Sequence, residues 1–275
     1  MSFSAPSLCQ HCSGVTETLT SDKNPLLKEV RKAVARGSLT DDGFAVAESF
    51  HLLEEALAAG CDIQAVIVAE SVKNTVSTHV RGLKKTRVVA VRDGVFRELA
   101  STETTQGVIA LVRPPEWTLD QLLRGKSLVA VLDGIQDPGN AGAILRAAEA
   151  FGATGAAFLK GTVSPYNPKA MRASAGSIFR LPIAGSVDAS LLLAALDQRR
   201  VALYAAMPRA AKTPSDVDLK DRCAIVMGSE GRGVNPRLAE RAVGLRIPTS
   251  GVESLNAAVA AGVLLYEARR QRTGA

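Results

Sequence analysis

Two stretches near the C-terminus combine small residues with polar side chains directly after an apolar segment. Cys223–Met227 resembles a buried strand and leads into GSEGRG at residues 228–233. Gly244–Pro248 resembles a second strand and leads into TSGVES at residues 249–254. Ligands of open parallel sheets bind at the carboxyl ends of strands, and glycine lets backbone amides approach a ligand closely. The two turns therefore predict a ligand site, although two ordinary strand-to-helix turns would also contain these glycines.

A second group of polar residues follows the apolar segment Ser127–Leu132, which is typical of a buried parallel strand. The loop after it contains Asn140 and leads into a helix predicted over Ala143–Phe151. Arg146 interrupts the small, apolar residues of that helix. Its neighbours indicate a helix packed on most sides, so we expect a fixed phosphate or carboxylate partner for the guanidinium. The alternative is a surface arginine without a specific partner.

A third group lies in the segment SPYNPKAMRASAG at residues 164–176. Lys169 and Arg172 are three residues apart and would share one helical face, with Ser174 just beyond them. Cations and a hydroxyl in this arrangement predict an edge that binds phosphate groups. A solvated loop is the alternative for this segment.

These groups require a framework, and the chain divides into two parts that could provide it. Residues 19–113 alternate helices and strands, which predicts a small α/β/α domain. Pro114 and Pro115 interrupt the pattern and begin a linker at residues 114–126 with a helix over 118–124, and a parallel-sheet α/β domain is expected over 127–275. The helices expected in the first domain begin at Asn24-Pro25 and span Phe50–Ala59, Val72–Leu83 and Asp93–Ala100; its strands are expected at Phe44–Glu48, Ile63–Ala69, Arg87–Val91 and Gly107–Val112.

The first 18 residues contain neither a secretion signal nor an evident structural element, so we predict a disordered tail there. Cys9 and Cys12 form a CxxC pair, but no second pair stands at zinc-finger spacing, and we expect no metal. The sequence contains no run of 18 uncharged apolar residues, which predicts no transmembrane span and a cytoplasmic protein.

The positive charge is unevenly distributed along the 275 residues. Residues 1–115 carry 13 Lys or Arg and 13 Asp or Glu, whereas residues 116–275 carry 20 and 14, which accounts for the formal net charge of +6. An excess of this sign in one domain favours a polyanionic partner such as RNA. A mildly basic enzyme without such a partner would show the same totals.

Four segments in the second half resemble a known family. They are DGIQDPGNAGAILRAAEAFGA, SPYNPKAMRASAGSIFRLPI, IVMGSEGRGV and LRIPTSGVESLNAAVAAGVLLYEA, in this order between residues 133 and 268. Together they resemble the motifs of the SpoU (TrmH-type) RNA ribose 2′-O-methyltransferases of the SPOUT superfamily. NPLLKEVRKAV, GFAVAESFHLLEEAL and STETTQGVIALV in the first half resemble the substrate-binding extension of that family, whose fold is like that of a ribosomal RNA-binding protein.

The resemblance implies a deep trefoil knot in the C-terminal domain, although knots are nearly absent from other proteins. It further implies S-adenosyl-L-methionine as the cofactor, a homodimer with each active site near the subunit interface, and no metal. The positions that match the backbone contacts of the cofactor are Gly228, Ile247 and Leu255. The positions that match the polar residues of the motifs, and are therefore the expected catalytic residues, are Asn140, Arg146, Glu230, Ser254 and Asn256.

The sequence departs from the family pattern at a few positions around the expected cofactor loop. The loop between Pro248 and Glu253 is about one residue shorter than the usual form, and Thr249 replaces a frequent methionine. Ser49 stands where glycine is usual in the first domain. We expect these departures to alter the local shape of the loop rather than the activity.

The predicted function is methyl transfer to a ribose 2′-hydroxyl of structured RNA, with rRNA favoured and tRNA as the alternative. A non-catalytic RNA-binding protein of the same fold is a second alternative. A nicotinamide-dependent enzyme is disfavoured, because GSEGRG lies near the C-terminus and not after a first strand. Arg146 would either accept the proton of the hydroxyl or bind the phosphate and polarise the hydroxyl, since an arginine above pKa ~12 is a poor base.

Overall fold

The computed structural model describes residues 16–19, 21–79 and 86–274, and it contains one sheet in each half of the chain. In the first half, the strands have the order β1-β4-β3-β5-β2; β5 is antiparallel to β2 and β3, whereas the other pairs are parallel. The elements are β1 (Thr16–Leu19), α1 (Pro25–Arg36), β2 (Ala45–Glu48), α2 (Phe50–Ala58), β3 (Asp62–Ala69), α3 (Lys73–His79), β4 (Arg87–Val91), α4 (Asp93–Leu99) and β5 (Val108–Arg113).

Local capping explains where the first helices begin and end. The side chain of Asn24 accepts a hydrogen bond from the backbone of Leu26 at 3.0 Å, and Pro25 occupies the first helical position. Gly37 ends α1 in the left-handed conformation, with φ of 62°. The Ser49 hydroxyl accepts from the backbone of Leu52 at 3.1 Å and caps α2. The starts of α1 at Asn24-Pro25 and of α2 at Phe50 confirm the predicted boundaries.

The structure corrects two boundaries in this half. Residues 16–18, which we assigned to the disordered tail, belong to β1, which pairs with the edge of the sheet along β4. The helix expected over Val72–Leu83 is divided into a 3₁₀ turn, Glu70–Val72, and α3. Cys9 and Cys12 lie outside the described residues, so their predicted lack of a metal is not tested.

The second half contains a six-stranded sheet of order β11-β9-β10-β6-β7-β8 in which every pair is parallel. Every residue of β6 and β7 is buried, which confirms the prediction of a buried parallel sheet. The elements are α5 (Leu119–Leu122), β6 (Leu128–Asp133), α6 (Pro138–Ala150), β7 (Gly155–Leu159), α7 (Pro168–Ser174), α8 (Ser177–Arg180), β8 (Ile183–Val187), α9 (Ala189–Arg199), β9 (Ala202–Ala206), β10 (Cys223–Gly228), α10 (Pro236–Arg241), β11 (Val243–Leu245) and α11 (Ala257–Thr273).

Helix α6 begins five residues earlier than the sequence analysis predicted. The carboxylate of Asp137 accepts a hydrogen bond from the backbone of Asn140 at 2.7 Å, and Pro138 occupies the first helical position. An aspartate followed by proline is a strong start signal for a helix, which the prediction of Ala143 overlooked. Asn140 therefore lies within the first turn of α6 rather than in the preceding loop.

The two halves pack against each other through the short helices α7 and α8. Helix α7 contacts α6 on one side and β2 on the other, and one cluster of buried apolar residues includes members of both sheets. Helix α11 packs against α6 as well. None of the helices in the described ranges combines the length and the apolar character that a membrane span requires.

Candidate active site

A cleft lies at the carboxyl ends of β10 and β11, where the sequence predicts a ligand site. It contains a cavity of about 170 Å³ that opens to solvent. Residues Gly228, Ile247 and Leu255, which match cofactor positions, all line it. Its other lining residues are Ala206, Met207, Pro208, Met227, Ser229, Glu230, Gly233, Leu245, Thr249, Glu253, Ser254, Ala257 and Ala260.

Glycine is required at position 228 by the fold of the chain itself. A Cβ atom there would lie 2.4 Å from the carbonyl carbon of Gly233 and 2.5 Å from the backbone nitrogen of Val234. The loop is closed by two hydrogen bonds between Ser229 and Gly233, at 3.0 and 2.8 Å. Glycine at position 228 is therefore required by the closure of its own loop, which corresponds to the alternative of an ordinary turn given for this glycine in the sequence analysis.

Three polar side chains from distant parts of the sequence meet beside the cleft. The amide nitrogen of Asn140 donates to Glu230 Oε1 at 2.9 Å, and the amide nitrogen of Asn256 donates to Asn140 Oδ1 at 3.0 Å. The Asn256 nitrogen also lies 3.5 Å from Glu230 Oε1. This Asn140–Glu230–Asn256 cluster joins the starts of α6 and α11 to the loop after β10.

Asn256 is oriented by the helix that it caps, and Asn140 lies in the first turn of a helix that Asp137 caps. The Oδ1 atom of Asn256 accepts from the backbones of Ala258 and Val259 at 2.9 and 3.3 Å, so its amide nitrogen is left to face Asn140. The Asp137 carboxylate fixes the first turn of α6. The backbone N–H of Asn140 and the Lys169 ammonium hold the pKa of Asp137 below its usual value.

Arg146 lies about 9 Å beyond Asn140 along the axis of α6, given the rise of the helix. Its neighbours Ile144, Leu145 and Ala148 are buried, but Arg146 itself is exposed. It makes no hydrogen bond or ion pair with any residue in the described part of the chain. The expectation that α6 is closed around this residue is therefore wrong, and its guanidinium is accessible to a ligand from outside the chain.

The predicted phosphate-binding edge on α7 is largely used within the protein. Ser174 is fully buried and its hydroxyl donates to the carbonyl of Met171 at 2.7 Å. Arg172 donates to Glu48 at 3.3 Å and to the hydroxyl of Ser101, both in the first domain. The assignment of Arg172 and Ser174 to RNA binding is corrected accordingly, because α7 lies between α6 and β2. Lys169 remains exposed and pairs with Asp137 at 3.0 Å.

Ser254 is exposed and lines the cleft beside Leu255, between the end of β11 and the start of α11. Within residues 16–19, 21–79 and 86–274, no three His, Cys, Asp or Glu side chains are grouped so that they could hold a metal ion. The polar groups of the site are thus amides, a hydroxyl and carboxylates beside an apolar cleft.

Comparison with known proteins identifies this arrangement. The model of the SpoU rRNA Methylase family matches residues 127–266, and that of the MRM3-like substrate binding domain matches residues 24–110. The chain belongs to the SpoU rRNA methylase family. The resemblance inferred from the four segments is confirmed, and the nicotinamide-dependent alternative is wrong.

Similar proteins support the same assignment over nearly the whole chain. An uncharacterized tRNA/rRNA methyltransferase of Synechocystis is 35% identical over 94% of this chain and 95% of its own. The 23S rRNA (guanosine(2553)-2′-O)-methyltransferase RlmP of Bacillus subtilis is 28% identical over 91% of this chain and 98% of its own. The crystal structure of an AdoMet-bound rRNA methyltransferase from Sinorhizobium meliloti is 26% identical, with a TM-score of 0.81 over 93% of this chain and 98% of that one. This SpoU protein is an S-adenosylmethionine-dependent RNA methyltransferase.

The cleft of this SpoU protein fits the chemistry of that cofactor. Met227, Leu245 and Ile247 provide apolar surface for a purine ring, and Glu230 and Glu253 provide carboxylates for a ligand with a cationic sulfonium and ammonium. Met207, which follows β9, also lines the cleft, although the sequence analysis did not single it out. It directly follows β9, whose carboxyl end lies at the same edge of the sheet as that of β10.

Proposed function

We propose that this protein transfers a methyl group from S-adenosylmethionine to a ribose 2′-hydroxyl of rRNA, with the residues around the Asn140–Glu230–Asn256 cluster forming the reaction site. The observation that carries this proposal is the convergence of three motifs at the rim of the cleft, 90 and 116 residues apart along the chain. When bound, the cofactor supplies an electrophilic methyl group. The protein supplies position and charge.

Gly228, Ile247 and Leu255 are proposed to hold the cofactor through their backbone groups, with Ser254 at the mouth of the cleft. The hydrogen bonds between Ser229 and Gly233 give the loop a fixed shape before any ligand binds. Such preorganisation places reacting groups at productive distances and can supply several kcal/mol of the barrier reduction, within about 7–11 kcal/mol for well-oriented reactions.

Arg146 is proposed to bind the phosphate next to the target ribose and to polarise the 2′-hydroxyl. Two points support this role over proton acceptance. A guanidinium keeps its proton in proteins, so it acts as a cationic donor. Moreover, Arg146 is exposed and uses none of its donors within the described part of the chain. The planar fork of arginine suits a phosphate group.

The Asn140–Glu230–Asn256 cluster is proposed to hold the three motif loops at fixed distances and to offer hydrogen bonds to the ribose. Glu230 is exposed, and its Oε1 atom already accepts from both asparagines, so it acts as an anchor rather than as a base. All three side chains of this cluster are present and hydrogen-bonded to one another, which favours a catalytic protein over a non-catalytic one of the same fold.

The first domain is proposed to bind the RNA outside the reaction site, and Lys169 to add one phosphate contact from α7. Support for rRNA comes from relatives named as 23S rRNA methyltransferases and from the match to a substrate binding domain. A tRNA substrate is the second candidate, because another relative is named a tRNA/rRNA methyltransferase. We further propose a cytoplasmic location, where such RNA is found, and a reaction that needs no metal.

Two further proposals follow from family membership. A trefoil knot is supported by membership in the SpoU family and by the return of the chain into α11, which packs against α6. A homodimer is supported by an apolar face on α11, where Val259, Val263 and Tyr266 are exposed at helical spacing. Val263→Asp should convert the dimer to a monomer in sedimentation; an unchanged mass would count against this face as the interface.

The function is tested by incubating the protein with methyl-labelled S-adenosylmethionine and 23S rRNA transcripts in the presence of a chelator. Nuclease digestion and chromatography should recover the label in a 2′-O-methylnucleoside. Calorimetry under the same conditions should show cofactor binding. Label in a methylated base, or transfer to tRNA transcripts alone, would contradict the proposed reaction or substrate.

A further inference from the structure

Arg180 lies where α8, α6 and α2 meet, and it bonds two carboxylates at once. Its Nε and Nη2 atoms donate to the two oxygens of Glu149 at 2.6 and 2.9 Å, and its Nη1 atom donates to Glu55 of the first domain. The exposed fractions of the three side chains are 38%, 31% and 25%, so the pairs are partly shielded from water. A bidentate pair of this kind fixes the direction of a carboxylate.

Glu149 lies three residues after Arg146 on α6, and side chains at this spacing are neighbours on a helix surface. The other positions three or four residues from Arg146 are Gly142, Ala143 and Ala150, none of which is charged. Glu149 is thus the natural intrahelical partner for Arg146. Instead, both of its oxygens are held by Arg180, and Arg146 remains without a partner in the described part of the chain.

We propose that Arg180 is a positioning residue for methyl transfer: by holding Glu149 it keeps the Arg146 guanidinium unpaired and available to RNA phosphate. This inference rests on the proposed function of Arg146. Because the third contact of Arg180 is to Glu55, the docking of the first domain and the availability of Arg146 depend on one side chain. Glu55 also packs closely against the turn before α8, since a Cβ on Gly176 would lie 2.6 Å from the Glu55 side chain.

Without Arg180, the Glu149 carboxylate would compete with RNA phosphate for Arg146. Charges about 6 Å apart in a largely aqueous setting change an affinity by a few fold, so Arg180→Met should raise the KM for RNA about 3- to 10-fold. The affinity for S-adenosylmethionine should not change, because Arg180 does not line the cleft.

The decisive experiment is a double-mutant cycle with Arg180→Met, Glu149→Gln and both together, in the full chain. Methyl transfer to a 23S rRNA transcript gives KM and kcat. Glu149→Gln should restore the KM in the Arg180→Met background, because the competing charge is gone although the ion pair is not rebuilt. A purely structural role of Arg180 predicts instead that the double variant is at least as impaired as the single one, and that result would overturn the proposal.

A second readout does not depend on activity. The rate at which phenylglyoxal modifies Arg146, followed by peptide mass spectrometry, should fall in Arg180→Met and recover in the double variant. An unchanged rate in Arg180→Met would contradict the proposal even if methyl transfer proceeds. Absence of transfer by the wild-type protein, with this labelling pattern intact, would instead reject the proposed function.

Arg199→Met is the matched control. Arg199 is 38% exposed, as Arg180 is, and pairs with Asp120 of α5, so both partners lie in the second half of the chain. This variant should leave both the KM for RNA and the labelling of Arg146 unchanged. Arg180→Lys, which retains a cation near Glu149, should show a smaller rise in KM and provides a test should Arg180→Met fold poorly.

Discussion

Arg146 and Arg172 stand on neighbouring helices, and the sequence predicts a phosphate or carboxylate partner for each, yet their surroundings differ. Arg146 on α6 is exposed and has no partner in the described part of the chain. Arg172 on α7 donates to Glu48 and Ser101 of the first domain. Both residues bind anions in this account, but one anion belongs to the protein and the other to the substrate. The surroundings of the helix surface that carries each arginine determine whether its anionic partner comes from the protein or from the substrate.

The packing of the two helices explains this difference. At Gly142 a Cβ atom would lie 2.2 Å from the carbonyl oxygen of Ala170, so the backbones of α6 and α7 are in direct contact. The far side of α7 then meets β2, where Glu48 is only 4% exposed. A buried carboxylate needs donors, and it receives them from Ser101, Thr102 and Arg172. In the described part of the chain, Arg146 has no hydrogen bond or ion pair with a buried carboxylate.

The largest effect is expected at Arg146. Arg146→Ala should lower kcat/KM for methyl transfer by at least about 100-fold, as loss of one charged donor to a reaction site does. Arg146→Lys should not restore activity, because an ammonium cannot reproduce the planar fork. The unfolding temperature should not change, and calorimetry should show cofactor affinity within a few-fold. A lower unfolding temperature with weaker cofactor binding would make Arg146 structural, and near-normal activity would refute both roles.

At Arg172 the expected effect is on stability. Arg172→Met leaves Glu48 buried with hydroxyl and backbone donors only, and because Arg172 is 28% exposed we expect a loss of about 1–3 kcal/mol, less than for a fully buried pair. Arg172→Lys should retain most of the stability of the wild-type protein, since one guanidinium nitrogen makes both contacts. Urea unfolding measures the change. Equal losses for both variants would show that the guanidinium shape, rather than the charge, holds the domains together.

Asn256 combines the two roles that Arg172 and Arg146 have separately, because it stabilises a helix and belongs to the reaction site. Asn256→Ala removes the cap of α11, which should cost about 0.5–2 kcal/mol, and also the hydrogen bond to Asn140. Asn256→Asp can still cap the helix but places a second carboxylate beside Glu230. Thermal unfolding should therefore separate the two variants, whereas methyl transfer should fall in both. Full activity in Asn256→Asp would show that methyl transfer does not depend on the Asn140–Glu230–Asn256 cluster.

These contacts differ in how far the sequence could predict them. The cap at Asn24 and the turn after β10 at Gly228 are local features, and simple patterns located them. Ile247 lies beyond the end of β11 and was assigned through the family resemblance. Asp137-Pro138 was an equally local signal that the analysis overlooked. The contact between Glu48 and Arg172 spans 124 residues. Spacing on a helix cannot reveal which foreign element will cover it, so Arg172 and Ser174 were assigned to RNA.

The smallest effect is expected at the ion pair of Lys169 with Asp137, which is exposed and worth at most about 1 kcal/mol. The folded pKa of Asp137 is depressed, by the Asn140 backbone first and by Lys169 second. Its stabilisation is therefore fully present above the unfolded pKa, about 3.9, and is lost as the pH falls through the folded pKa. Lys169→Met should lower the unfolding temperature slightly at pH 7 and less at pH 3. A larger decrease in the unfolding temperature of Lys169→Met at pH 3 than at pH 7 would contradict this expected pH dependence.

The most direct test of the central claim is the salt dependence of RNA binding by the wild-type protein, Arg146→Met and Arg172→Met. Each phosphate contact contributes about 0.7–0.9 to the slope of log affinity against log salt. Measured with a 23S rRNA transcript at a temperature where all three proteins are folded, Arg146→Met should reduce the slope by that amount and Arg172→Met should leave it unchanged. The reverse result, a smaller slope for Arg172→Met and an unchanged one for Arg146→Met, would contradict the account.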